Sequence, residues 1–396
     1  MFSEKARAVN PSPTILIDSK AKEMKAQGID IIGFGAGEPD FETPRHIKEA
    51  GIKAINDGDT RYTPAAGTLE LKEAICHKLA SDNNLNYEPG QIVVSNGAKH
   101  SLNNALNALL NCGDEVIIPS PYWVSYPELV KLHGGAPVFI ETSAKTFFKI
   151  DNTDLKKAYS NKSKALILNS PSNPTGQIYT KNELKDIAQF CYDHNLIIIA
   201  DDIYEKLIYG NNSHTSIAEI DKTIQDITIL VNGVSKSYAM TGWRIGYTAS
   251  TAKIASVMAN IQGHTTSNPN TIAQKAAVAA LLGPQNCVEE MLSAFNERKK
   301  YMHNRVTEIN GLNALEPMGA FYLFINLRDI IGKSYQGTPI ENGDVFSTLL
   351  LEHFQVAVVP GSGFGADEYI RLSFATSQEN IVEGLNRLES FVALIN

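Results

Sequence analysis

Short apolar runs separated by amphipathic stretches constrain this chain more than any other feature of its sequence. Four of them, 115–118, 165–168, 196–200 and 227–231, are too short for buried helices, and each ends at polar or Gly/Pro-rich residues. Such runs read as strands buried on both faces of a parallel sheet. Between the second and third, Thr180 and Glu183 form a capping-box pair, followed by Leu184, Ile187, Ala188 and Cys191 at helical spacing. Alternation of this kind, at intervals of about 30 residues, predicts an α/β domain with a mostly parallel sheet. Parallel sheets bind ligands beyond the carboxyl ends of their strands, so chemistry is expected just after each run.

Upstream, Thr43 and Pro44 read as N-cap and first-turn proline of a helix carried on by Ile47, Ala50 and Ala54 and closed by Gly58. A second helix is expected over 68–81. Beyond about residue 290 the texture changes to a long charged helix, 290–309, and then short alternating strands such as 321–327 and 356–359. With 396 residues, the chain exceeds the size at which single cores stop growing. We therefore expect an N-terminal arm with part of a small domain (1–45), a large domain (46–290) and a small α+β domain (291–396).

Composition narrows the function. A formal net charge of -8 leaves no basic footprint for nucleic acid. The four cysteines are scattered, without C-x-x-C or a Cys/His cluster, so neither a metal site nor a disulfide framework is expected. Residues 1–13 lack an apolar core and no apolar stretch is long enough to span a membrane, which favours the cytoplasm.

Five strand ends carry candidate chemistry. After 227–231 comes Lys236, flanked by Gly233, Ser235, Ala239 and Gly242, with Arg244 eight residues on. A lysine that forms an imine must be desolvated enough to lose its proton, and small neighbours let a planar ring lie against the backbone. Arg244 offers a permanent cation with paired N–H donors for a phosphate. Asp201 ends the most apolar run, where an unpaired carboxylate is costly, and Tyr204 follows three residues later. Asp202 is the rival acid, although alternation along a strand sends the two to opposite faces.

Asn173 lies in an Asn-Pro-Thr-Gly turn after 165–168, and Trp123 follows 115–118 as a candidate aromatic platform. Gly97, Ala98 and Lys99 open a helix after an expected strand at 91–94, where backbone N–H groups can cradle a phosphate. The loop is neither a Walker A sequence nor G-x-G-x-x-G, and Gly33, Gly35 and Gly37 also miss the dinucleotide spacing. In 369–375, Arg371 interrupts a core-like strand and invites a carboxylate.

Segment 233–246 resembles the lysine motif of class I (fold type I) pyridoxal-phosphate-dependent aminotransferases, small-x-small-Lys-x-x-small-apolar-x-Gly-x-Arg-apolar-Gly. The other motifs stand in that family's order over nearly the whole chain. The resemblance implies a fold type I transferase, with a large mostly parallel α/β domain and a smaller α+β domain, and pyridoxal 5'-phosphate as cofactor. Lys236 would form the Schiff base and shuttle the α-proton. Asp201, selected over Asp202 by the family's D-x-x-Y spacing, would hold the proton of the pyridine nitrogen; Tyr204 and Asn173 would meet the ring's phenolate oxygen. Trp123 would stack on the ring, while Gly97, Ala98, Lys99, Ser235 and Arg244 would hold the phosphate end. Arg371 and Gly37 would bind the substrate's α-carboxylate, with Trp123 and Asn173 also lining its site. Tyr62 would reach the cofactor of a neighbouring subunit, making the protein a homodimer with shared sites.

The motifs Y-W-V-S-Y-P and A-M-T-G-W-R-I-G are most similar to the bacterial-type aspartate aminotransferase subgroup, whose aspartate-specific members carry a lysine where Lys99 stands. Lys99 would pair with the distal carboxylate, helped by the hydroxyls of Ser12 and Thr14. The expected reaction converts L-aspartate and 2-oxoglutarate to oxaloacetate and L-glutamate. Alternatives are an aromatic-amino-acid or alanine aminotransferase, a pyridoxal-phosphate β-lyase, or an inactive cofactor-binding regulator. Asn10 departs from the lysine of members that also accept prephenate, so that activity is not expected.

Overall fold

Six parallel strands and one antiparallel strand form the central sheet. The computed structural model describes residue 2, residues 7–9 and residues 13–396, with backbone alone for 13–16 and 18. In chain order, β1 (Ile32–Gly33) precedes the sheet, whose strands are β2 (Ile92–Ser95), β3 (Glu115–Ser120), β4 (Ala136–Glu141), β5 (Ser163–Asn169), β6 (Ile197–Asp201), β7 (Thr228–Gly233) and β8 (Gly246–Ala249). Their order is β2-β8-β7-β6-β5-β3-β4, with β8 antiparallel to both neighbours.

The four apolar runs become β3, β5, β6 and β7, each reaching one or two residues further at its carboxyl end. Ile198, Ile199, Ile229 and Val231 are buried, and each such side chain contributes about 1.5–3 kcal/mol over its exposed state. Two strands carry no comparable signal. β4 is an edge strand that leaves Phe139 exposed, and β8 is four residues of mixed polarity held between two ladders.

Thr180 caps the helix Lys181–Asp193: its hydroxyl accepts from Glu183 N–H while the Glu183 carboxylate accepts from Thr180 N–H. Thr68 likewise caps Leu69–Asn83. The expectation for Thr43 is corrected. Pro44 itself stands at the N-cap of Arg45–Asn56, and no side chain caps it. The Thr43 hydroxyl instead donates to the Ala239 carbonyl at 2.7 Å and accepts from Trp243 Nε1 at 3.0 Å, tying this turn to the Lys236 segment.

Downstream lie β9 (Asn313–Ala314), β10 (Tyr322–Asn326), the pair β11 (Ser334–Tyr335) and β12 (Thr338–Pro339), β13 (Val356–Ala357), β14 (Val359–Pro360) and β15 (Tyr369–Ser373). An antiparallel sheet runs β14-β15-β10-β9. The helices Asn286–Glu308 and Gln378–Val392 contribute Phe295, Met302, Leu385 and Phe391 to the core beneath it. The strand expected at 356–359 divides: β13 pairs in parallel with β1, while β14 joins β15. All four residues are buried, so one apolar run serves two ladders. Through β1, the segment carrying Gly35 and Gly37 is held beside the C-terminal sheet, with Phe34 N–H donating to the Ala357 carbonyl.

Candidate active site

The carboxyl ends of β3, β5, β6 and β7, the start of the helix Ala98–Leu109, and Arg371 on β15 converge on a cavity of about 390 Å³. Lys236, three residues past β7, points into it and is half-buried. Its ammonium donates to the Gly37 carbonyl and lies 5.9 Å from the Tyr204 ring centroid and 5.8 Å from that of Phe321. Burial pushes it down to about 8; Arg371 and Arg244 add to the shift, whereas Glu38 and Asp201 oppose it.

Asp201 ends β6 and faces the cavity, and burial raises its carboxyl to about 6. Two hydrogen bonds work against that rise: Tyr126 donates its hydroxyl at 2.7 Å, and Ile203 N–H donates at 3.3 Å. Asp202 points the other way, 3.6 Å from His214. Behind it, burial alone would raise Glu205, yet its ion pair with Lys78, together with His214, holds it down at about 2. Asn83 also donates to Glu205 at 3.0 Å, so the segment that carries Tyr204 is fastened from behind.

The β5 turn folds on its own side chains. Asn169 donates to the Asp201 carbonyl at 2.8 Å and accepts from Asn173 N–H at 2.8 Å. Asn173 Oδ1 accepts from Arg371 Nη1 at 3.0 Å, and Nη2 donates to the Gly35 carbonyl at 3.0 Å. Arg371 is 2% exposed, and among the described residues its Nε has no partner and no carboxylate pairs with it. A buried guanidinium without a counter-ion is costly unless an anion completes it. The structural ion pair that could have explained this arginine is absent among the described residues.

Two further cations, Arg244 and Lys99, line the same cavity. Arg244 donates to the carbonyls of Thr241 and Asn96, at 2.8 Å and 3.2 Å, and forms no ion pair among the described residues. Gly97, at φ +87, does not line the cavity; a Cβ there would strike the Arg244 guanidinium, so its part is to let that cation lie against the backbone. Ala98 and Lys99 open the helix, and Lys99 Nζ sits 4.9 Å from the Trp123 ring centroid. Burial, and then Arg244, lower the Lys99 ammonium. Ser235 and Trp123 complete the wall.

Lys236, Asp201, Tyr204, Asn173, Trp123, Ser235, Ala98, Lys99, Arg244, Gly37 and Arg371 thus share one cavity. Tyr62 is 91% exposed and does not line it. Ser12 and Asn10 lie outside the described residues, and of Thr14 only the backbone is described. Sequence reasoning assigned nothing to Tyr126, Glu38, Thr241 or Tyr322. Tyr126 had a usable signal, standing one turn from Trp123 at the start of the helix Ser125–Leu132. Glu38, which accepts from the Thr241 hydroxyl at 2.6 Å, had none.

Comparisons with known proteins identify a family. The model of the family described as aminotransferase class I and II matches residues 29–388. An aspartate aminotransferase of Bacillus subtilis (strain 168) is 47% identical over 391 residues, covering 99% of this chain and 98% of that protein. Another, of Bacillus sp. (strain YM-2), is 49% identical over 392 residues, covering 99% of each. Among solved structures, an aspartate aminotransferase from Rhizobium meliloti superposes with a TM-score of 0.97 at 39% identity over 100% of both chains. A match to the family model over most of the chain, and relatives this similar over its length, show that the chain belongs to the class I and II aminotransferases.

Proposed function

We infer that this chain is an aspartate aminotransferase, exchanging amino groups between L-aspartate and 2-oxoglutarate to give oxaloacetate and L-glutamate by a ping-pong route. The observation that carries the reading is a set of cations without carboxylate partners among the described residues, Arg371, Arg244 and Lys99, which line one cavity with Lys236. Relatives named aspartate aminotransferase at 47% and 49% identity support it. Others, at 45%, are named aspartate/prephenate aminotransferase. Aspartate remains the donor common to both groups.

The family's cofactor is pyridoxal 5'-phosphate, and the residues present fit it. Arg244 and the first N–H groups of the helix Ala98–Leu109 offer donors for a phosphate, Trp123 a flat apolar wall, and Asp201 a buried acid for a ring nitrogen. Ser235 and the Gly97 turn would support the phosphate end. When bound, the group supplies an electron sink for the charge left at the substrate's α-carbon.

The chain's own residues do the rest. Arg371 holds the α-carboxylate through its fork, oriented by Asn173 Oδ1, with Gly37 beside it. Lys99 meets the distal carboxylate, which an alanine or aromatic donor lacks. Lys236, with its ammonium near 8, is close enough to neutrality at ordinary pH to take the α-proton and return it. Asp201, fixed by Tyr126, would keep a proton on the ring nitrogen, and Tyr204 would donate to the ring oxygen.

Residues 46–290 would then form the cofactor domain, and 1–45 with 291–396 the arm and small domain that carry Arg371. A homodimer with shared sites goes with this reading, as Tyr62 is free to reach a neighbouring chain. So does a cytoplasmic setting: the four cysteines are free, and no helix among the described residues is long and apolar enough to cross a membrane.

A coupled assay of aspartate with 2-oxoglutarate, set beside tyrosine and alanine as donors, tests the reading. Aspartate should lead, and Lys99→Ala should lower kcat/KM for aspartate at least about 10-fold more than for alanine, the loss of one charge-assisted contact of about 1.4 kcal/mol. Equal losses for all donors would tie Lys99 to the cofactor phosphate instead.

A further inference from the structure

Tyr322 serves two parts of the cavity at once. Its hydroxyl lies 3.0 Å from the Tyr204 hydroxyl, and its ring faces the Arg371 guanidinium, whose carbon is 4.2 Å from the ring centroid. Strand register dictates this. Tyr322 on β10 stands opposite Ser373 on β15, and Phe324 stands opposite Arg371, which makes Tyr322 and Arg371 diagonal neighbours on one face. Phe364 closes the guanidinium's surroundings at 5.1 Å. Gly37 lies nearby, since a Cβ there would meet the hydroxyl at an ordinary contact distance of 3.6 Å. Tyr204, Tyr322 and Arg371 are all buried.

Burial raises both phenols, Tyr204 further, with Asp201 adding to its rise, while the Arg371 cation against the Tyr322 ring opposes the rise there, which makes Tyr322 the better donor. Tyr204 then accepts, and keeps its own O–H for the cavity, strengthened by the bond it receives. We propose that Tyr322 is a positioning residue, directing the Tyr204 hydroxyl into the cavity through its own hydroxyl and holding Arg371 in register through its ring. The proposal rests on the reading above, in which Tyr204 meets the cofactor's ring oxygen and Arg371 the substrate carboxylate. It adds the physical link between them.

Tyr204 is also faced by Asp201 from its own strand end and by Lys236 from the β7 loop, and Lys236 in turn by Glu38, Arg244, Arg371 and Asp201. Tyr322→Phe leaves all of these in place and removes one hydroxyl, whereas Tyr322→Leu also removes the ring. In cofactor-free full-length protein, succinate should raise the melting temperature of wild type and Tyr322→Phe equally, and that of Tyr322→Leu by less than about half as much. In the holoenzyme, Tyr322→Phe should move the pH midpoint of the visible absorbance upward by about half a unit or more, because the ring oxygen has a weaker donor. Its KM values for aspartate and 2-oxoglutarate should stay within about 2-fold, and those of Tyr322→Leu should rise about 10-fold.

An unmoved or lowered midpoint in Tyr322→Phe, or loss of the succinate effect in that variant as complete as in Tyr322→Leu, would overturn the proposal. The Phe variant decides alone should the Leu chain fail to fold. Wild-type protein that takes up no pyridoxal phosphate would sink the functional reading instead, and the succinate comparison would still judge the ring's part.

Discussion

Among the described residues Lys236 pairs with no carboxylate directly: its ammonium donates to the Gly37 carbonyl, and burial together with Arg371 and Arg244 outweighs Glu38 and Asp201. That depressed value has a sign in stability. The folded chain binds this proton less tightly than the unfolded one, so the penalty is fully present below about 8 and fades as pH rises towards 10.5. Lys236→Met, which keeps the volume and drops the charge, should therefore melt higher than wild type in the cofactor-free state at neutral pH. The gain should shrink progressively between about pH 8 and 10.5. Differential scanning calorimetry across that range measures it, and a gain that grows with pH would contradict the assignment. Asp201 is the complementary case, a carboxyl raised by burial in a place where a positively charged ring nitrogen would relieve it.

Elements bring these residues together because each parallel strand delivers its last side chain to the same edge. In register, Asn169 stands opposite Asp201 and Asp201 opposite Val231, which makes neighbours of residues far apart in sequence. Close approach between elements matters as much. A Cβ on Gly246, the first residue of β8, would overlap Ala98 N and the Gly97 carbonyl carbon, so β8 can pass beneath the Gly97–Ala98 turn, proposed above to hold the phosphate, only with glycine there. Gly246→Ala should weaken cofactor binding by at least about 10-fold, or about 1.4 kcal/mol, while circular dichroism stays near wild type. Unchanged cofactor affinity would show that the turn has room to give.

The same elements explain what could be read from the sequence. Apolar runs announced β3, β5, β6 and β7 because strands buried on both faces need continuous hydrophobicity, whereas β4 and β8 escaped notice, the first as an exposed edge and the second as a short insert between partners. Asp201 and Arg371 were legible as charges in apolar settings, and Lys236 as a lysine among small residues just past a strand. Tyr322 was not: a tyrosine in an alternating strand reads as core, and only the register of β10 on β15 reveals what its two ends touch. Thr43 misled for a related reason, since its hydroxyl could satisfy a tertiary partner as well as a local cap.

At the scale of the whole molecule, the proposal that two chains share each site turns on Tyr62. Tyr62 is 91% exposed, and Ile52, Ile55 and Leu69 nearby in sequence are more than half exposed, an apolar surface that a partner copy would cover. If Tyr62 completes a neighbour's site, co-expressing Lys236→Ala chains with Tyr62→Ala chains yields hybrids in which one site carries both defects and the other neither. Purified hybrids should recover about half the wild-type activity, well above either parent. Activity no greater than half that of the Tyr62→Ala homodimer would place Tyr62 outside any shared site.

Every functional statement depends on one amine meeting one aldehyde in this cavity. Purified protein should be incubated with pyridoxal phosphate and reduced with borohydride, and its peptides should then be mapped by mass spectrometry. A single stable adduct on Lys236, absent from Lys236→Ala, is the result expected; an adduct on Lys99 or another lysine, or none at all, would contradict the account.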